Sequence, residues 1–298
     1  MASIVDLHMH SYYSDGSFSP RALVARGAVL GLRYLAITDH DEVQALPEAR
    51  AAGAEHGVAI IPGIEISTRY DNLGLHILGY CFDADHPAMR ALVAQQARSR
   101  NERAEQIVAK FTDLGFGLDF DAIAAHARGA LSQPLIVHAL LASERNRQLL
   151  RRRGHEATHE TLYRHYLSRG GPAYVPKFSP DSREAIDLLH TCGGVAVLAH
   201  PSVDLWPDRH DLLNDLAEAG LDGLEVYSSN HSEEMTAVYV RCAREYGLLM
   251  TGGSDFHGEA VPEFDLGSGC KGNLDMGVEI VEDLYQRHAD FLAGRAAG

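Results

Sequence analysis

The chain has 298 residues, an apolar fraction of 46% and a net charge of −15 at pH 7, enough to bury a full core as one barrel-sized domain or as one domain with an insertion. No run approaches the length of a membrane span, and the first strand-like run begins within a few residues of Met1 with no signal peptide ahead of it. A cytoplasmic protein is therefore expected, with no membrane partner. The acidic balance argues against tight binding to long nucleic acid.

In chain order, Ile4-Val5-Asp6-Leu7 reads as a strand that ends on His8-Met9-His10, and residues two apart in a strand point to the same side. The spacing then predicts a helix from Pro20 to Leu30, entered through Ser19 and ended before Gly31. Ala36-Ile37-Thr38 ends on Asp39-His40, a second helix covers Pro47 to Glu55 before Gly57, and Val58-Ala59-Ile60-Ile61 leads to Gly63-Ile64-Glu65. His76 opens the run to Tyr80. Residues 1 to about 90 thus read as three or four strand–helix units.

Residues 88–169 have another texture, rich in Ala, Arg, Leu and Gln at helical spacing with few β-branched runs, which predicts a helical insertion. From about residue 180 the alternation resumes. Helices are predicted over Ser182–Thr191, Asp211–Ala219 and Glu233–Tyr246. Between them, Val195 to Ala199 delivers His200-Pro201, Gly223–Tyr227 forms a strand, and Leu248 to Thr251 delivers Gly252-Gly253-Ser254-Asp255-Phe256-His257. The expected organisation is an α/β domain of residues 1–90 and 170–298 interrupted by a helical insertion over 91–169. A (β/α) barrel is favoured over an open doubly wound sheet, because ligands from many strand ends must converge on one centre.

The strand ends collect His8, His10, Asp15, His40, Glu65, His76, His200, Asp255 and His257. Six imidazoles and three carboxylates make a borderline N/O donor set for which Mn²⁺, Zn²⁺ and Fe²⁺ are all admissible. Asp39 and Asp41 flank His40 as candidate partners that orient its ring. The other histidines singled out, His56, His86, His126, His155, His159, His190, His210 and His288, read as surface or hydrogen-bonded residues. Cys81, Cys192, Cys242 and Cys270 stand singly, without CxxC spacing, and read as reduced structural thiols.

These residues carry a resemblance. Asp6-Leu7-His8-Met9-His10-Ser11 with Asp15-Gly16, Thr38-Asp39-His40, Gly63-Ile64-Glu65, His76, Ala199-His200-Pro201 and Thr251 through Gly258 follow the order seen in the PHP (polymerase and histidinol phosphatase) family of the amidohydrolase superfamily. The chain is similar to that family over nearly its whole length. The resemblance implies a distorted (β/α)7 barrel holding up to three divalent ions. One would lie on His8, His10, Glu65 and Asp255, a second on Glu65, His76 and His200, and a third on Asp15, His40 and His257. Mn²⁺ is favoured by the phosphoesterase members. Asp255, His257 and Glu65 would then act in catalysis through the water that the ions activate.

Such a cluster suits hydrolysis of a phosphate ester without a side-chain nucleophile, and phosphate monoesters call for cationic side chains around their oxygens. Residues 90–177 hold 14 Lys+Arg against 8 Asp+Glu, while the rest of the chain holds 12 against 33, so the basic excess is confined to one segment. Arg100 and Arg103 share a helix face there, beside Asn101, and Lys177 falls where the chain re-enters the barrel. Arg151-Arg152-Arg153 reads as solvated helix surface.

Within the family the chain looks most like the YciV-like branch, which includes 3′,5′-nucleoside bisphosphate phosphatases and 5′–3′ exonucleases. The basic helix near residue 100, Ala173-Tyr174-Val175-Pro176, Gly193-Gly194 and Gly223-Leu224-Glu225-Val226-Tyr227 support this. Where branch members carry Arg-x-His, this chain reads Gln133-Pro134-Leu135, with His138 one turn further on. An amide and an apolar side chain suit a pocket that packs a base. The expected reaction is hydrolysis of a nucleoside 3′,5′-bisphosphate, such as 3′-phosphoadenosine 5′-phosphate, to the 5′-monophosphate and phosphate. A 5′–3′ exonuclease on short oligonucleotides is the alternative, histidinol phosphatase the third, and a non-catalytic metal-binding accessory domain the weakest. The sequence leaves the oligomeric state open.

Overall fold

The computed structural model describes residues 4–126, 131, 133–202 and 210–297. The chain divides into two compact units, Met1–Val93 with Ser179–Gly298, and Ala94–Phe178. Among the described residues no helix is long and apolar enough to cross a membrane. The four cysteines are free, Cys192 and Cys242 being buried.

In the first unit, strands β1 (Val5–Asp6), β2 (Tyr34–Leu35) and β3 (Ala59–Ile60) pair in parallel in the order β1-β2-β3. A five-stranded sheet follows, in the order β4 (Gly63–Tyr70), β5 (Leu73–Tyr80), β6 (Val195–Leu198), β7 (Gly223–Ser228) and β8 (Leu249–Gly253). Main-chain bonds run between the two sheets on both sides. Leu7 donates to the Gly252 carbonyl and Asp255 to that of His8, while Asp41 donates to that of Glu65.

The resemblance implies a distorted (β/α)7 barrel, and the described strands are not all parallel. β5 runs antiparallel to both β4 and β6. The cause is local: only Asp71 and Asn72 separate β4 from β5, Asp71 sits at φ +52°, and two residues can close a hairpin but cannot carry the crossover that parallel neighbours need.

Helix α1 (Pro20–Val29) starts where Ser19 accepts a bond from the Ala22 amide and Pro20 occupies the first turn, where its missing N–H costs nothing. Helix α2 (Ala45–His56) ends on Gly57 in the left-handed region at φ +70°. The helix Ser182–Thr191 opens with a reciprocal cap between Asp181 and Glu184. Leu23, Val24, Leu35, Ala49 and Ala52 bury the faces of α1 and α2, and Ile64, Ile66, Ile77, Ile186 and Leu189 form the core beneath β4–β6.

The second unit contains helix α3 from its Ala94 onward (Pro87–Asp113 in full), followed by helices over Phe120–His126, Gln133–Ala142, Glu144–Arg152 and His159–Leu162. Ile107, Phe111, Phe116, Leu140, Leu150, Leu162 and Tyr166 form its core. Buried Asn146 closes the turn at Gly117 by exchanging two 2.8 Å bonds with that residue's backbone. The insertion expected over 91–169 compares with a unit that runs to Phe178.

Candidate metal centre

The alternation of a strand explains the first two ligands. His8 and His10 follow β1 on one side, while Met9 between them is buried with Leu23 and Phe256. Tyr80 donates from its hydroxyl to the Leu7 carbonyl at 2.9 Å, and buried Asp6 accepts from the amides of Ser254 and Gly267 at 2.9 and 2.8 Å. The end of β1 is thereby tied to the loop after β8. Gly253 makes that approach feasible, because a Cβ there would lie 2.3 Å from the Cβ of His8.

Asp255 itself adopts φ +53°, a conformation costly for a non-glycine residue and frequent where a functional side chain must be aimed. Gly16 is equally constrained, since a Cβ would meet the His10 carbonyl oxygen at 2.1 Å. It turns the loop so that Asp15 faces back toward the histidines.

Glu65, wholly buried on β4, is the hub. Its Oε2 lies 3.2 Å from His8 Nε2, 3.2 Å from His10 Nε2 and 3.1 Å from His40 Nδ1, and its Oε1 lies 3.0 Å from both His76 Nδ1 and His200 Nε2. Asp255 Oδ1 lies 3.2 Å from His10 Nε2, and Asp15 lies 3.4 Å from His257 Nε2 and 3.7 Å from His40 Nε2. All nine residues singled out from the sequence fall into overlapping groups of ligand atoms within 4.8 Å of one another. These groups are His10, Asp15, His40 and His257; His8, His10 and Asp255; His8, Glu65 and His200; and His40, Glu65 and His76. His8, His10 and Glu65 form a fully buried floor, while Asp15, His40 and His76 keep 36%, 23% and 32% of their side chains exposed.

The donor chemistry fits divalent cations. His257 donates from Nδ1 to the Asp255 carbonyl at 2.8 Å, and His8 donates from Nδ1 to Glu225 Oε1 at 2.9 Å. Each ring therefore turns its Nε2 toward a carboxylate, Asp15 for His257 and Glu65 for His8. An imidazole nitrogen faces a carboxylate at this range only with a proton or a metal ion between them.

The protonation energetics carry the same mark. Burial alone would depress His8, but attraction to Glu225, Glu65 and Asp255 holds it well above its ordinary value. Burial is likewise outweighed by Asp255 and Glu65 at His10, which is pushed up to about 10, and by Glu65 at His200, raised to about 9. His40 is the exception, pushed down to about 4 by burial. Although burial opposes it, the surrounding imidazoles hold Glu65, Asp255 and Asp15 below the usual carboxylate range.

The two carboxylates that flank His40 also hold backbone around the site. Asp39 binds the Ser11 amide at 2.7 Å and the Ser11 and Ser14 hydroxyls at 2.6 and 2.7 Å, and so anchors the turn that carries Asp15. Asp41 Oδ1 accepts from the Ser67 amide at 2.8 Å and ties the His40 loop to β4. The expected surface histidines include His190, bonded to Asp222 at 2.8 Å, and His288, bonded to the Gly193 carbonyl.

The substrate-contact candidates Arg100, Asn101, Arg103, Gln133, His138 and Lys177 all belong to the second unit. Arg103 is half-buried and donates from Nε to the Val175 carbonyl at 2.9 Å, while Asn101, His138 and Lys177 are exposed. Sequence reasoning assigned no role to Glu225, although a lone carboxylate inside the apolar run Gly223–Tyr227 of a parallel strand is a readable signal.

A mixed α/β fold that gathers six histidines and three carboxylates from its strands and the loops that follow them, with Glu65 inside β4 and His76 inside β5, defines a metal-dependent phosphoesterase class. The PHP domain pattern matches residues 6–166, and the chain belongs to the PHP family. It is 35% identical over 294 residues to the 5′-3′ exoribonuclease Rnm of Escherichia coli, covering 96% of this chain and 95% of that one. It is 32% identical over 273 residues to the 3′,5′-nucleoside bisphosphate phosphatase of Chromobacterium violaceum, covering 88% and 90%. Among solved structures, an amidohydrolase from Chromobacterium violaceum with bound sulfate superposes with a TM-score of 0.78 at 29% identity, covering 96% of this chain and 97% of that one. The protein is a metal-dependent phosphoesterase of the hydrolase class.

Proposed function

We propose that this enzyme hydrolyses nucleoside 3′,5′-bisphosphates to the nucleoside 5′-monophosphate and phosphate, using three divalent ions, Mn²⁺ ahead of Zn²⁺ and Fe²⁺, in the cytoplasm. The observation that carries the hydrolytic reading is that Nε2 of His8 and Nε2 of His257 each face a carboxylate, Glu65 and Asp15, across a gap that a divalent ion can fill. The ions would be held by His8, His10, Glu65 and Asp255, by Glu65, His76 and His200, and by Asp15, His40 and His257. Divalent ions at such a centre activate water and neutralise charge on phosphoryl oxygens.

The chain's own residues supply the rest. His8, His10 and Glu65 form a buried floor that fixes the donors before substrate arrives, and the exposed side chains of Asp15, His40 and His76 mark the side open to a ligand. Asp255, His257 and Glu65 hold the reacting centre in place. Arg100, Arg103 and Lys177, with Asn101, Gln133 and His138, supply the contacts to a second phosphate and a base.

The Chromobacterium relative supports the bisphosphate, and so does the charge partition, with its basic excess confined to residues 90–177. The similarity to Rnm favours a second reading, 5′–3′ removal of nucleotides from short oligonucleotides. Both would break the bond between phosphorus and the 3′ oxygen of a 5′-phosphorylated nucleotide, and they differ in what else the scissile phosphate carries. The test is product analysis with Mn²⁺-loaded protein on mononucleotides, bisphosphates and 5′-phosphorylated oligonucleotides. The 5′-monophosphate with one equivalent of phosphate is expected from the bisphosphate, and a 3′-monophosphate product would refute the assignment.

A further inference from the structure

Glu225, on β7, is wholly buried and meets two of the proposed metal ligands at once. Its Oε1 accepts from His8 Nδ1 at 2.9 Å, and its Oε2 accepts from the main-chain amide of His200 at 2.7 Å. His8 and His200 both converge on Glu65 from opposite oxygens, His8 Nε2 at 3.2 Å from Oε2 and His200 Nε2 at 3.0 Å from Oε1. One carboxylate behind the centre thus holds the ring of one donor and the backbone of another.

We infer that Glu225 is a positioning residue that fixes the His8 tautomer, keeping the proton on Nδ1 and the Nε2 lone pair free for a divalent ion, while it locks His200 in register. This inference rests on the metal-dependent reading of the site. The argument is one of donors and acceptors. A carboxylate offers two acceptor oxygens to two N–H donors, and both are satisfied. A carboxamide offers one oxygen and one NH₂. The His200 amide cannot turn into an acceptor, so in Glu225→Gln it takes the oxygen and the NH₂ faces His8 Nδ1. The ring must then present a lone pair at Nδ1 and carry its proton on Nε2, where it cannot ligate.

The role separates from simple packing by comparing two variants. If Glu225 only fills space, the isosteric Gln is the milder change and Ala the harsher. If it sets the tautomer, Gln is at least as harmful as Ala to metal binding, because water filling the space left by Ala can accept from Nδ1–H. Zn²⁺ affinity would be measured by chelator competition, alongside thermal unfolding of the metal-stripped proteins. Glu225→Gln is expected to melt close to wild type when metal-free yet bind Zn²⁺ roughly 10–100-fold more weakly, with Glu225→Ala no weaker in affinity than Gln. Wild-type affinity in Glu225→Gln, or a loss of affinity confined to Ala, would overturn the inference. Should Ala fail to fold, the Gln affinity and melting temperature decide alone. Absence of divalent-ion binding by the wild type would instead refute the reading of the site itself.

Discussion

His257 donates its Nδ1 proton to the carbonyl of Asp255, two residues back and 2.8 Å away, and so turns its Nε2 lone pair toward Asp15 at 3.4 Å. The bond is internal to the loop after β8, so the orientation of the His257 imidazole is fixed by local backbone. Asp15→Asn should therefore lower metal content while leaving the fold intact. We expect loss of close to one ion per chain by elemental analysis and a fall of at least about 10-fold in turnover, the scale on which a disturbed metal site responds.

Metal uptake should release protons. His10 and His200 stand at about 10 and about 9 in the metal-free protein, so at neutral pH both imidazoles are protonated and must give up a proton before they ligate. Calorimetric titration with Mn²⁺ in buffers of different ionisation enthalpy should show net proton release at pH 7 that shrinks as pH approaches about 10. Buffer-independent heats at neutral pH would contradict this.

The same shifts set the sign of a stability profile. In the unfolded chain these histidines titrate near about 6.5, so their raised folded values stabilise the metal-free protein fully below that pH, and the contribution is lost as pH rises through about 9 to 10. His40, pushed down to about 4, has the opposite effect and removes some stability as pH falls from 6.5 toward 4. Asp15, Asp255 and Glu65, depressed in the fold, contribute fully above the ordinary carboxylate range and lose that contribution progressively as pH falls below it. Thermal unfolding of stripped protein should peak on the mildly acidic side, and the gain in melting temperature on adding metal should grow toward alkaline pH.

Much of the centre was legible because its ligands follow apolar runs: His8-Met9-His10, Asp39-His40, His200-Pro201 and Asp255-Phe256-His257 each follow a strand. The antiparallel β5 was not, since His76 and its neighbours look the same in either direction and only the two-residue turn at Asp71 and Asn72 decides it. Glu225 escaped because its partners, the His8 ring and the His200 amide, are 217 and 25 residues away in sequence. Adjacency to His40 in sequence likewise does not reveal that Asp39 bonds Ser11 and Ser14.

Gly253→Ala should be among the most damaging small substitutions. The added methyl would meet His8 at both its Cβ and its amide at 2.3 Å, and neither atom can move without shifting β1. A cost of at least about 2 kcal/mol is expected from overpacking against backbone, read as a lowered denaturation midpoint together with weakened metal binding.

Cationic residues of the second unit should govern which substrate is preferred. Arg100→Gln and Lys177→Gln are expected to reduce kcat/KM for a 3′,5′-bisphosphate by roughly 2–4 kcal/mol of lost phosphate contact while leaving a 3′-monophosphate nearly untouched. Equal losses on both would remove these residues as anchors of the second phosphate.

The measurement that bears most directly on the central claim is a kcat/KM comparison, at moderate salt and equal Mn²⁺, between a nucleoside 3′,5′-bisphosphate and a 5′-phosphorylated pentanucleotide, with Asp255→Asn as the control. The chain outside residues 90–177 is strongly acidic, so a longer polyanion gains little affinity from added length. The bisphosphate should be hydrolysed much faster, and Asp255→Asn should nearly abolish both reactions. Comparable or faster processing of the pentanucleotide would contradict the account and make this enzyme an exonuclease.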